Sequence, residues 1–171
     1  YNFMDGINGI TVCYSLSVSA LLLWVNYNVQ FINADFLIFL ILSLLVFGFF
    51  NFRTKAKCFA GDVGSVSIAY ALLFALGLLI FKTGNILYIL FLSVYGIDAV
   101  WTILRRLYRR ENIFKAHRSH LYQLLTNEVG LNKLAVSMAY GILQLIIGAL
   151  VVHFSYQSAA VQCLFGFVLL L

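Results

Sequence analysis

The chain alternates long apolar runs with short polar windows. After a polar, glycine-bearing start at residues 1–9, apolar runs cover Ile10–Val25, Phe36–Phe50, Val66–Phe81, Ile86–Leu104 and Leu134–Val152, and another begins at Ala159 and continues to Leu171. Only Asp98 breaks the fourth run. The runs lack the two-residue alternation of barrel strands, and a helix needs roughly twenty residues to cross the hydrocarbon core, or fewer when flanking residues reach the interface. The pattern predicts an all-α polytopic membrane protein with about six transmembrane helices, residues 1–171 forming a single integral-membrane domain.

Composition supports this class. Of the 171 residues, 63% are hydrophobic and 10% charged, and there is no proline, which is far too apolar for a soluble domain of this size. The net charge of +5 would suggest nucleic acid in a soluble protein, but here its placement matters more. If six spans alternate sides, the start, the Asn51–Ser65 window and the Arg105–Lys133 loop share one face. That face carries Arg53, Lys55, Lys57, Arg105, Arg106, Arg109, Arg110, Lys115, Arg118 and Lys133, leaving only Lys82 opposite. By the positive-inside rule this face is cytoplasmic, so the basic charge sets topology and no nucleic-acid partner is expected. Cys13, Cys58 and Cys163 have no metal spacing and read as free thiols. The chain starts at Tyr1 and ends within an apolar run, which predicts a fragment of a longer protein.

Three polar constellations fall on the basic face. In Lys57–Ser65, Asp62 lies between Gly61 and Gly64 where an apolar run is about to begin. The glycines let a phosphate or metal approach the backbone, and a helix N-terminus there favours anions. A helix cap by Asp62 accounts for the same pattern and is compatible with metal binding. The second constellation, Asn2–Gly9, spaces Asn2, Asp5 and Asn8 three apart with glycines between, a pattern that suits a nucleobase edge or sugar hydroxyl. On spacing alone, a turn leading into a helix cap is the simpler account. The third runs from Arg105 through Glu111 and Asn112 to His117-Arg118-Ser119-His120-Leu121-Tyr122-Gln123. Its arginines read first as topology determinants, whereas His117 and His120 share a helical face and suit phosphate contact better than zinc. Asp98 requires a cationic partner such as Arg105 or an arginine from another helix.

Taken in order, these motifs resemble the polyprenyl-phosphate N-acetylhexosamine-1-phosphate transferases, the glycosyltransferase family 4 enzymes that include WecA-like proteins and the MraY translocase. Lys57–Ser65 matches Lys-x-Phe-x-Gly-Asp-x-Gly-Ser at every fixed position, and Asn2–Gly9 resembles Asn-Phe-x-Asp-Gly-x-Asn/Asp-Gly. The His-Arg-Ser-His-Leu-Tyr-Gln string is closest to the branch that initiates O-antigen and capsule synthesis. The resemblance implies transfer of a sugar-1-phosphate from a UDP-N-acetylhexosamine to undecaprenyl phosphate, with release of UMP, at the cytoplasmic face of a bacterial inner membrane. It implies Mg²⁺, with Mn²⁺ as an alternative, held by Asp62. Phe59 would stack on uracil. Asn2, Asp5 and Asn51 would line the nucleoside pocket, with Asn8, Gly61 and Gly64 among the substrate-binding residues. His117, Arg118 and His120 would contact the pyrophosphate, and the lipid tail would follow a groove between apolar helices. A homodimer is compatible with this reading.

The chain departs from the family at several places. It has no adjacent aspartate pair, Asn8 replaces an acid carried by MraY, and Asn51 lies one residue further from Asp62 than in MraY. Tyr122 and Gln123 stand where other branches have histidines. The expectation is therefore a C-terminal part, inactive alone. The competing readings are a transporter or channel segment that uses Asp98 as an ion site, and a non-catalytic membrane subunit.

Overall fold

The computed structural model describes residues 1, 4–112 and 119–170. The described residues form seven α-helices: α1 (Ile10–Val29), α2 (Ala34–Asn51), α3 (Gly61–Thr83), α4 (Ser93–Tyr108), α5 (Leu121–Asn127), α6 (Lys133–Phe154) and α7 (Ala159–Leu170). A 3₁₀ segment, Ile86–Leu92, leads into α4. Among the described residues there is no strand. Five segments are long and apolar enough to span a membrane: α1, α2, α3, Ile86–Tyr108 and α6. The sixth apolar run forms α7, which at 1.5 Å per residue covers about 18 Å, short of the ~30 Å hydrocarbon core.

The least apolar spanning helix lies at the centre. α1 carries Thr11, Ser15, Ser17 and Ser19, all buried, and packs against α2, α3 and α6. Small residues let membrane helices approach closely, and polar side chains can then bond across the interface. The Ser17 hydroxyl donates to the Gly141 carbonyl of α6 at 2.8 Å. A Cβ on Gly141 would meet the Cys13 carbonyl oxygen at 3.0 Å, which is why α6 carries glycine there. By contrast, α2 and α3 are almost wholly apolar and turn Phe39, Val46, Phe49, Tyr70, Leu73 and Phe81 outward. A polar-bearing centre inside an apolar exterior is the arrangement expected in lipid.

The fourth span is not one continuous helix. Gln144, fully buried in α6, accepts from the Val94 N–H at 3.1 Å and donates to the Leu90 carbonyl at 3.2 Å. It also accepts from the Tyr14 hydroxyl at 3.2 Å. The side chain thus satisfies backbone groups freed where 3₁₀ gives way to α geometry, one of the few ways to break a helix in hydrocarbon.

Helix α3 begins at Gly61, before the apolar run itself, so Asp62 lies in its first turn and Ala60 is the N-cap residue. The cap reading of Asp62 is thereby corrected. Its carboxylate instead faces the partial positive charge of the helix start.

Candidate functional site

One end of the bundle gathers the polar segments, and Asn51 is the hinge of that arrangement. The last residue of α2, it is 1% exposed. Its side-chain oxygen accepts from the Gly9 N–H at 2.8 Å, and its amide donates to the Cys58 carbonyl at 2.8 Å. Asn8 adds a second tie, donating to the carbonyls of Arg53 at 2.8 Å and Thr54 at 3.2 Å. The Ser137 hydroxyl of α6 donates to the Asn8 carbonyl at 2.8 Å. The first glycine segment, the loop at residues 52–60 and the start of α6 are therefore joined through side-chain amides and a hydroxyl. Asn51 and Asn8, expected among the substrate contacts, use these amide groups on the protein's own backbone.

The loop held in this way leads to Asp62. Asp62, Lys57 and Phe59 are exposed, Phe59 at 67%. Gly61 has φ +60°, and a Cβ there would meet nothing within 4 Å. The backbone beside Asp62 is consequently open to a ligand, and the left-handed φ explains the glycine. The Ser65 hydroxyl turns back to the Asp62 carbonyl at 3.2 Å. A cavity of about 320 Å³ opens alongside, bounded by Phe59, Gly64, Leu44 and Phe47 between α2 and α3.

Asp5 is half-buried, and its carboxylate accepts from the Thr11 hydroxyl at 2.5 Å. Asn2 lies outside the described residues, as do His117 and Arg118. The stretch 113–118 is bracketed by the two arginines that end α4. Arg106 pairs with Glu111 at 3.1 Å and donates to the Asn112 carbonyl at 2.6 Å, while Arg105 donates to the Ser119 carbonyl at 2.6 Å. These arginines hold the loop's ends in addition to biasing topology.

His120 is buried, 4% exposed, with its Nδ1 3.4 Å from the Asp98 carboxylate and its ring stacked on Tyr122. Asp98 also accepts from the Leu121 N–H at 2.9 Å, the Tyr140 hydroxyl at 2.7 Å and the Thr102 hydroxyl at 3.3 Å. The expected pairing with Arg105 is corrected: Arg105 is committed to Ser119, and the acid is met by hydroxyls, a backbone amide and His120. Sequence reasoning missed Tyr140 and Gln144. The signal was present in both as polar groups within the apolar run of α6, which must find partners.

Tyr122, wholly buried, links this network to the first segment, its phenol lying against the Gly6 backbone. Burial pushes the phenol pKa up, and the nearby carboxylates of Asp98 and Asp5 push it further, so the hydroxyl stays protonated across the physiological range. A Cβ on Gly6 would overlap the Tyr122 hydroxyl and come within 2.9 Å of the Gln123 amide. Gly6→Ala is expected to cost about 1–3 kcal/mol by overpacking. Thermal unfolding in detergent reads this as a lowered midpoint, partly restored when Tyr122→Phe removes the opposing oxygen. An unchanged midpoint in Gly6→Ala would contradict the packing described.

Among the described residues no three His, Cys, Asp or Glu side chains cluster to hold a metal. A closed structural site such as that of zinc therefore does not fit them. Mg²⁺ commonly binds through one or two carboxylates together with waters and substrate phosphates, and an exposed Asp62 beside open backbone fits that mode.

Comparison with known proteins relates part of the chain to one family. The model of the family described as glycosyl transferase family 4 matches residues 1–81. The probable undecaprenyl-phosphate N-acetylglucosaminyl 1-phosphate transferase of Bacillus subtilis (strain 168) is 28% identical over 131 residues, covering 72% of this chain and 36% of that protein. The chain thus matches about a third of the length of that curated relative. No solved structure matches. Residues 1–81, which carry Asp5, Asn8, Asn51 and Asp62, are thus similar to glycosyl transferase family 4.

Proposed function

We propose that the full-length protein transfers a sugar-1-phosphate from a UDP-N-acetylhexosamine to undecaprenyl phosphate and releases UMP, starting a cell-surface polysaccharide. The observation that carries this reading is that the two glycine–acid segments of the family-matched region are tied together by Asn51 at one end of a membrane bundle, leaving Asp62 open. The β-phosphorus of the donor ends bonded to an oxygen of the lipid phosphate. The bond from that phosphorus to the bridging oxygen breaks, and its electron pair leaves with UMP.

Phosphoryl transfer is chiefly positioning and charge stabilisation. Asp62 would hold Mg²⁺ or Mn²⁺, which when bound neutralises charge on the donor pyrophosphate. Phe59 would present a face for uracil, and Asn2 and Asp5 would line the nucleoside pocket. Asn51 and Asn8 shape that pocket by fixing its backbone. His117 and Arg118 would contact the pyrophosphate, whereas His120, expected to join them, is buried against Asp98. The apolar cavity beside Phe59 and Gly64 accommodates the first units of the lipid tail. The bias of basic residues supports a cytoplasmic setting for this end, and the proposed lipid substrate would make the membrane a bacterial inner membrane.

The test is UMP release by the full-length protein in detergent with a panel of UDP-N-acetylhexosamines. Release that requires both undecaprenyl phosphate and a divalent cation is expected with at least one donor. Folded protein that releases no UMP with any donor would overturn the reading.

A further inference from the structure

Asp98 lies inside a spanning segment yet is bonded to the segment outside it. Its carboxylate meets Thr102 on its own helix α4, Tyr140 on α6, and both His120 and the Leu121 N–H at the start of α5. Helix α5 is only seven residues long, too short to be stable by itself. Its placement therefore depends on such ties. Tyr122 extends the network by stacking on His120, packing edge-on against Tyr140 and resting on Gly6. The helix that carries Asp98 is in turn set by Gln144, which bonds the backbone on both sides of the 3₁₀ junction just before it.

We infer that Asp98 is a positioning residue for the transferase reaction. From within the membrane it anchors His120 and the start of α5 and, through Tyr122, the Gly6 backbone beside Asp5, which the proposed function puts at the donor nucleoside. This inference rests on the function proposed above for its catalytic consequence, but the anchoring itself is measurable without it. A carboxylate accepting a backbone N–H, a phenol and a hydroxyl, with an imidazole alongside, restrains a short helix in both position and orientation. Loss of that restraint should act on the reacting geometry, because small misplacements cost rate more than they cost ground-state binding.

The experiment uses the full-length protein with Asp98→Asn and, as a milder change that keeps the carboxylate, Tyr140→Phe. Hydrogen exchange is measured on peptides covering 119–127 and, as internal reference, on α1 and α6. At least tenfold faster exchange confined to 119–127 is expected in Asp98→Asn, and a smaller effect of the same kind in Tyr140→Phe. For UMP release, kcat is expected to fall at least tenfold while KM for the donor changes less than threefold. Exchange at 119–127 that matches wild type in both variants overturns the anchor, whatever the activity. Faster exchange with unchanged kcat overturns the positioning role and leaves only a structural one. If Asp98→Asn fails to fold, Tyr140→Phe decides by the same two readouts. If the wild-type protein releases no UMP, the proposed function has failed, whereas unchanged exchange marks failure of the anchor alone.

Discussion

Asp62→Asn is expected to reduce UMP release by the full-length protein about 10²–10³-fold or more, the scale of losing a group that stabilises charge at a reacting centre. The substitution is close to isosteric and removes the negative charge required of a Mg²⁺ ligand. Asp62 is exposed and bonds to no other side chain in the structure as described, so the fold should hardly notice. The exception is the favourable placement of the acid in the first turn of α3, worth about 0.3–1 kcal/mol at a helix N-terminus. Activity and stability therefore separate, with rate collapsing while the melting temperature moves by a few degrees at most. Raising Mg²⁺ should recover little, since the carboxylate itself is missing. Activity within threefold of wild type would remove Asp62 from the metal site.

The opposite signature is expected at Asn51. Replacing it by Leu keeps the branched shape in a larger side chain but deserts the Gly9 N–H and the Cys58 carbonyl. Each buried polar group left without a partner costs about 1–3 kcal/mol, so a total of about 2–6 kcal/mol is expected, large against the marginal stability of a protein. The loss should appear as a lowered melting temperature and as faster proteolysis within residues 52–60, whose attachment to the first segment runs through Asn51 and Asn8. Asn51→Asp should be intermediate, because the oxygen that accepts from Gly9 is retained while the donor to Cys58 is lost. If Asn51→Leu melts like wild type and alters only donor KM, Asn51 is a direct nucleoside contact and the clamp is misassigned.

The spanning segments were legible because charge-free runs in lipid leave few alternatives to helix, and the basic bias grouped the polar windows on one side. That grouping agrees with the ties among Gly9, Asn51, Cys58 and Ser137. Partners in space were not legible. Asp98 could be seen to need company, but periodicity could not choose Tyr140 and Leu121 over Arg105. The start of α3 at Gly61 was hidden because the helix begins in polar sequence, while hydropathy marks only its apolar part. The 3₁₀ break before α4 was equally invisible: Ile86–Leu92 is uniformly apolar, and the group that relieves the break, Gln144, lies more than fifty residues away. Asn51 illustrates the remaining difficulty. Its place in the motif was readable, but whether an amide binds substrate or backbone is decided by distances alone.

The most direct test of the central claim follows phosphorus rather than sugar. The full-length protein would be given undecaprenyl phosphate, Mg²⁺ and a UDP-N-acetylhexosamine carrying ³²P at the β-phosphate, and the organic and aqueous phases would then be counted. Transfer of a sugar-1-phosphate places the label in the lipid fraction and leaves unlabelled UMP in the water, and Asp62→Asn lowers both by about 10²-fold or more. Label that stays in the aqueous phase as UDP while the sugar moves to lipid, or label that never leaves the donor, would contradict the account.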